Sequence, residues 1–117
     1  EAAARAAGAG IGSASRFVGA YFDVGNVLST GYPEHWIKIL GKRIKKVHFK
    51  DYRRSVGTLA GFVDLLSGDA NYPAVMEAFR EIGYDGWATA ETGMYSDYPD
   101  QGLRNTANAM KKIVGRL

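Results

Sequence analysis

The chain has 117 residues, of which 46% are hydrophobic and 12% aromatic. This length suits one domain and excludes two, and the apolar content is enough for a core, which excludes wholesale disorder. No apolar run approaches the roughly 20 residues of a membrane span, and the absence of cysteine excludes disulfides and thiolate catalysis. Residues 1–15 lack the cationic start and apolar block of a signal peptide. A net charge of only +3 argues against a nucleic-acid partner. We expect a cytoplasmic protein with no membrane partner.

The first half of the chain predicts a helix, a strand, a second helix and a second strand. Residues 1–16 are alanine-rich and predict a short helix and a loop, and the aromatic stretch 17–22 predicts a buried strand. Pro33 is expected to open the next helix and Gly41 to end it. The predicted apolar stripe of that helix comprises Trp36, Ile37, Leu40 and Ile44. Residues 47–49 predict the second strand.

The second half predicts a long loop, a helix, a third strand and a last helix. Residues 50–70 are expected to form the loop, of a length that is often functional. Asn71 is expected to cap the next helix, and Gly83 to follow its end. Residues 87–90 predict a strand with Trp87 in the core. The apolar face of the last helix is predicted to comprise Leu103, Ala107, Met110, Val114 and Leu117. Strands that alternate with amphipathic helices predict an α/β fold with a parallel sheet.

Three ionisable residues share one position relative to the predicted strands. Asp23, His48 and Glu91 each lie in or directly after the second half of a strand. The carboxyl ends of parallel strands share one face, where functional groups collect. Two carboxylates and an imidazole on that face predict a site for Mn²⁺, Mg²⁺, Co²⁺ or Zn²⁺. Each residue also has an interpretation without a metal. Asp23 would be a turn residue, His48 a hydrogen-bonded core histidine, and Glu91 a paired or solvated carboxylate at a strand end.

Several polar residues near the same strand ends are candidates for contact with a substrate. These candidates are Asn26, Lys50, Asp51, Arg53 and Arg54. A turn position is the alternative for Asn26, and a solvated loop face is the alternative for the residues that follow His48. His35, in the first turn of a predicted helix, is expected to lie at the surface.

Four stretches of the sequence carry a resemblance to a known family. They are GAYFDVGN (residues 19–26), IKKVHFKD (44–51), GDANYP (68–73) and GYDGW (83–87) with its continuation to Glu91. They resemble the sugar phosphate isomerase/epimerase family of the xylose isomerase-like TIM-barrel superfamily. The resemblance implies parallel β/α units that form the C-terminal part of a barrel, about strands six to eight. Because a whole barrel needs at least roughly 200 residues, we expect residues 1–117 to form a single partial barrel, with 1–16 as a poorly matched helix and loop.

The resemblance also implies a divalent metal held by two glutamates, an aspartate and a histidine. Asp23, His48 and Glu91 match three of these ligands, whereas the other glutamate belongs to strands that are not matched. The family's reaction moves a proton beside a sugar carbonyl through an enediolate, with the two glutamates as acid and base, so Glu91 is also predicted to be catalytic. Arg54, six residues after His48, matches a substrate-contacting arginine of the epimerases. Asn26 stands where those enzymes have histidine, which leaves the sugar undefined.

Two functions besides a sugar or sugar-phosphate isomerase or epimerase stay open. One is a non-catalytic part-barrel that self-associates or binds a partner. The other is a metal-dependent DNA-repair endonuclease of the same superfamily, against which the low net charge and two histidines argue. As a part-barrel, the chain is expected to pair as a homo-oligomer or with a missing barrel half. The surface predicted to be uncovered carries Val18, Ala20, Val47 and Phe49 or their neighbours.

Overall fold

The computed structural model describes residues 17–93 and 95–115, so the predicted helix within residues 1–16 lies outside the described residues. In chain order the elements are β1 (Ala20–Asp23), α1 (Pro33–Leu40), β2 (Ile44–Phe49), β3 (Asp51–Tyr52), β4 (Phe62–Val63), α2 (Tyr72–Glu81), β5 (Ala88–Ala90) and α3 (Pro99–Ile113). Strands β1, β2 and β5 form a parallel sheet with β2 in the centre, and β3 and β4 pair as a small antiparallel ladder. The predicted parallel α/β fold is confirmed.

The helix ends follow the local signals in the sequence. Pro33 stands in the first turn of α1. Gly41, directly after the last residue of α1, has a φ of 51°, a backbone angle that favours glycine. The Asn71 side chain caps α2 by accepting a hydrogen bond from the Ala74 N–H at 3.2 Å. Gly83, with a φ of 65°, follows the end of α2 and donates its N–H to the carbonyl of Arg80. These boundaries confirm the predicted caps.

One face of the parallel sheet packs against the helices and forms the core. Its central rings are Phe22, Phe49 and Phe79, with Phe79 of α2 lying 6.5 Å and 6.3 Å from the other two ring centroids. The buried aliphatic residues around them include Ile37, Leu40, Ile44, Val47 and Val75. Because side chains alternate along a strand, the opposite face carries the exposed Tyr21, Lys46 and Thr89 and the half-buried His48.

The predicted uncovered surface is therefore wrong in three of its residues. Val47 and Phe49 are buried on the helical side of β2, and Ala20 of β1 is partly buried against the same core. The alternate positions of β2 face away from the helices. Val18 is exposed but precedes β1. Alternation also explains Trp87, which was expected in the core and is 82% exposed, because it lies two residues before Thr89 and so on the same side.

Three further predictions differ from the structure. Residues 50–70 are not a plain loop, since they contain β3 and β4. Ile44 begins β2 instead of extending the stripe of α1. The buried side of α3 is formed by Ile113 with the partly buried Met110, whereas Leu103 is 73% exposed. A helical period defines an apolar stripe, but the neighbouring elements decide which part of that stripe is buried.

Among the described residues, no helix combines the length and apolar character needed to cross a bilayer.

Candidate functional site

Asp23, His48 and Glu91 lie at the carboxyl ends of the three parallel strands. β1 ends on Asp23, His48 is the last but one residue of β2, and Glu91 directly follows β5. Asp23 and His48 are register partners, and the Glu91 N–H donates to the carbonyl of Phe49 at 2.9 Å. The sheet therefore holds all three backbones in register and presents their side chains on the face away from the helices.

The three side chains converge on a common point. His48 Nδ1 lies 3.5 Å from Asp23 Oδ2 and 3.2 Å from Glu91 Oε2. One potential ligand atom from each residue lies within 4.8 Å of the other two. Two atoms that each bind one ion at about 2.1 Å are separated by about 3.0–3.5 Å in octahedral or tetrahedral geometry. The two separations from His48 fall in this range, and the oxygen and nitrogen donors suit Mn²⁺, Mg²⁺, Co²⁺ or Zn²⁺.

The Asp23 carboxylate is largely buried, and one of its oxygens is already bound. Asp23 Oδ1 accepts the backbone N–H of Asn26 at 2.8 Å, which leaves Oδ2 directed towards His48. Burial raises the pKa of Asp23, although the Asn26 N–H acts in the opposite direction. Asn26 thus contributes to the site through its backbone, while its exposed side chain as a substrate contact stays a prediction.

The Glu91 carboxylate has a different environment. Its side chain is about half exposed, and Oε2 lies 3.2 Å from the Lys50 ammonium. That hydrogen bond lowers the pKa of Glu91, with the smaller effect of desolvation opposing it. The pKa values of the two carboxyl groups are therefore shifted in opposite directions, because Asp23 is buried and Glu91 is paired with an ammonium group.

The imidazole of His48 is oriented by a neighbouring aromatic ring. The centroid of the Tyr21 ring lies 4.3 Å from that of His48, at an interplanar angle of 50°. With Nδ1 facing the carboxylates, a neutral imidazole can offer a lone pair there and keep its proton on Nε2. Tyr21 was not predicted, although its position two residues before Asp23 in the same strand places both side chains on one face.

The basic candidates occupy distinct places. Lys50 reaches Glu91, as described. The Arg54 guanidinium donates to the Gly31 carbonyl at 2.6 Å and lies 4.6 Å from the centroid of the Tyr32 ring, so it is bound to the segment after β1. Arg53 donates through Nε to the carbonyl of Ser67. Contact of Arg54 or Lys50 with a substrate stays a prediction.

Asp51 is a structural residue and not a substrate contact. Its side chain is fully buried and accepts hydrogen bonds at 2.9–3.1 Å from four backbone N–H groups. The donors are Tyr52, Leu66, Gly68 and Ala70. A β-carbon at Gly68 would lie 2.7 Å from the Tyr52 nitrogen, so only glycine allows this close approach. The prediction that placed Asp51 among the mouth candidates is wrong because the carboxylate is directed into its own loop.

A cavity of about 340 Å³ adjoins the cluster between the end of β5 and the start of α3. Glu91 and Thr92 line one side, and Tyr95, Pro99 and Leu103 line the other. The Tyr95 hydroxyl donates to the Asp64 carboxylate, which ties this wall to the segment after β4. The volume is at the lower end of the range for small-molecule sites.

Comparison with known proteins identifies similar folds. The family described as xylose isomerase-like TIM barrel matches residues 4–113. A xylose isomerase domain protein from Planctomyces limnophilus is similar in structure, with a TM-score of 0.64, 24% identity and coverage of 84% of this chain. A D-tagatose 3-epimerase-like protein gives a TM-score of 0.59 at 23% identity, again over 84% of this chain. The chain spans 37% and 36% of these two structures, and at such identities the likeness establishes the fold alone. No curated protein matches the sequence.

Proposed function

Because the chain belongs to the xylose isomerase-like TIM barrel family, we propose that it carries the cation-binding part of a sugar or sugar-phosphate isomerase or epimerase. The observation that supports this most is the convergence of Asp23, His48 and Glu91, whose potential ligand atoms lie within 4.8 Å of one another. Asp23 and His48 come from two strands and Glu91 directly follows a third, so the cluster depends on the tertiary fold and not on proximity in the sequence.

Each residue has a distinct role in the proposal. Asp23 and His48 hold the cation, and Glu91 both holds it and exchanges a proton with the carbon beside a sugar carbonyl. When bound, a divalent ion supplies Lewis-acid stabilisation for negative charge that develops on a substrate oxygen. Glu91 suits proton exchange because its carboxylate is half exposed beside a cavity, where a substrate carbon can approach it.

A complete reaction needs a second proton-transfer group. Among the described residues the other glutamates are Glu34, Glu77 and Glu81, and all three lie on helices that pack behind the sheet. We therefore propose that the second acid or base is not one of the described glutamates and comes from further barrel strands or from a second copy of the chain. Self-association stays a prediction, which sedimentation at micromolar concentration tests.

The substrate is proposed to be a sugar or sugar phosphate bound at the mouth formed by the strand ends. The cavity beside Glu91 offers an apolar wall, and Asn26, Lys50 and Arg54 supply polar groups at or near the same ends. The two similar structures, a xylose isomerase domain protein and a D-tagatose 3-epimerase-like protein, support a sugar as the class of substrate.

Replacement of His48 tests the proposed cation site. We expect His48→Ala to weaken Mn²⁺ binding by at least about tenfold in calorimetry, since it removes the only nitrogen ligand. The matched control is His35→Ala, because His35 is exposed on α1, where its ring lies 5.3 Å from the Tyr32 ring, and it is not part of the cluster. Circular dichroism should show both variants folded. Equal Mn²⁺ affinity in wild type and His48→Ala would remove His48 from the site.

A further inference from the structure

Lys50 is built into the candidate site on three sides. Its ammonium bonds to Glu91 Oε2 at 3.2 Å and lies 4.1 Å from the centroid of the Phe62 ring. Its stem packs against Gly25, where a β-carbon would lie 2.7 Å from Lys50 Cβ. The side chain is only 17% exposed, so it is not a solvated surface lysine. Lys50 is therefore held between Gly25, which follows β1, and the Phe62 ring of β4.

The segment after β2 explains how the Phe62 ring reaches this position. The Asp51 carboxylate accepts hydrogen bonds from the backbone N–H groups of Leu66, Gly68 and Ala70. These bonds fold residues 51–70 back on the end of β2. Within that segment β3 pairs with β4, which begins with Phe62. In addition, the Tyr72 hydroxyl donates to the Lys50 carbonyl at 2.9 Å and fixes its backbone. The hairpin thus supplies a cation–π platform for an ammonium group.

The charge of the cluster changes sign when a divalent cation is present. Asp23 and Glu91 contribute two negative charges, Lys50 contributes one positive charge, and His48 is neutral as a ligand. With His48 neutral, the charges of the four side chains sum to −1, and a bound divalent ion brings the sum to +1. A positively charged, partly buried site with a fixed ammonium at its edge favours a ligand that brings its own negative oxygen.

We propose that Lys50 binds an anionic oxygen of the substrate, a carboxylate or phosphate oxygen, once a cation has replaced the ammonium as the partner of Glu91. This inference rests on the proposed function, because it requires a bound cation. It narrows the ligand from any sugar to one that carries a negative charge near the reacting carbon. The Phe62 ring lets Lys50 leave Glu91 without losing its second contact.

The test uses Lys50→Met with Lys46→Met as the matched control. Lys46 lies on the same face of the sheet, 5.8 Å from the Tyr21 ring centroid, and makes no ion pair with the described acidic residues. Each protein is first titrated with Mn²⁺, and the loaded chain is then titrated with glycolate, inorganic phosphate or uncharged glycerol. We expect Lys50→Met to keep or improve Mn²⁺ affinity, and to lose about tenfold or more in affinity for the preferred anion.

The control and the neutral probe separate the outcomes. Lys46→Met should bind the anion within about twofold of wild type, as expected for an exposed charge that makes no ion pair with the described acidic residues. Glycerol binding should be the same in all three proteins. A larger loss for glycolate than for phosphate assigns the subsite to a carboxylate, and the reverse assigns it to a phosphate. Unchanged anion binding in Lys50→Met, an equal loss in Lys46→Met, or a tenfold loss of Mn²⁺ affinity in Lys50→Met would overturn the inference. Failure of wild type to bind Mn²⁺ would overturn the proposed function itself.

Discussion

Asp51→Ala is expected to destabilise the chain by at least about 3 kcal/mol. Asp51 is fully buried, and its carboxylate accepts hydrogen bonds from four backbone N–H groups. A buried donor left without an acceptor costs about 1–3 kcal/mol, and alanine leaves several donors in that state at once. Because a domain of this size has a total stability of only about 5–15 kcal/mol, the loss should be evident in urea unfolding followed by circular dichroism.

Two variants accompany this measurement. Asp85→Ala removes the same side chain from an exposed position and should change stability by no more than about 0.5 kcal/mol. Gly68→Ala disrupts the same hydrogen-bonded contact, because the added β-carbon would collide with the Tyr52 backbone and the Asp51 carboxylate. This variant should therefore also lower the free energy of unfolding. An Asp51→Ala protein as stable as Asp85→Ala would show that the carboxylate does not organise the segment after β2.

Asp23→Asn is expected to have opposite effects on metal binding and on stability. It removes a charged oxygen ligand, so Mn²⁺ affinity should fall by about a hundredfold, at the upper end of the losses measured around metal sites. In the metal-free chain at pH 7, Asp23→Asn should raise the free energy of unfolding by about 0.5–2 kcal/mol, the usual size of a single stabilising substitution. The gain is expected because a buried negative charge is removed. Burial raises the pKa of Asp23, which means that the fold disfavours its ionised form.

The pH dependence of this gain has a definite sign. A carboxyl group with a raised pKa in the folded state costs nothing below its ordinary value of 3.8 and has its full cost above the raised value. The difference in melting temperature between Asp23→Asn and wild type should therefore be largest at pH 7 and close as the pH falls towards 3.8. Asp85→Asn, at an exposed position, should show neither effect. A less stable Asp23→Asn protein at pH 7 would contradict the assignment of Asp23 as a residue kept for binding.

The sequence predicted the fold well because its signals are local. Asn71, Gly83 and Gly41 mark helix ends through their own hydrogen bonds or backbone angles, and these are unaffected by distant residues. The sides on which residues are buried were harder to predict. Trp87 and Leu103 are large and apolar, yet both are exposed, because burial depends on which neighbouring element is present to cover them.

For the candidate site, the sequence identified the residues at the strand ends but not their surroundings. Asp23, His48 and Glu91 were found because parallel strands bring their carboxyl ends to one face. The contact between Lys50 and Phe62 joins residues 12 positions apart through two short strands with a long connection between them, so no local pattern predicted it. The four N–H groups around Asp51 likewise depend on the path of a whole segment.

Electron spin echo spectroscopy of the Mn²⁺-loaded chain tests the central claim, that Asp23, His48 and Glu91 hold one cation, most directly. Modulation by a coordinated imidazole nitrogen reports a histidine ligand itself, and the chain has only two histidines. The modulation should be present in wild type and His35→Ala and absent in His48→Ala. Wild-type protein that binds Mn²⁺ without nitrogen modulation, or a signal that persists in His48→Ala, would contradict the site.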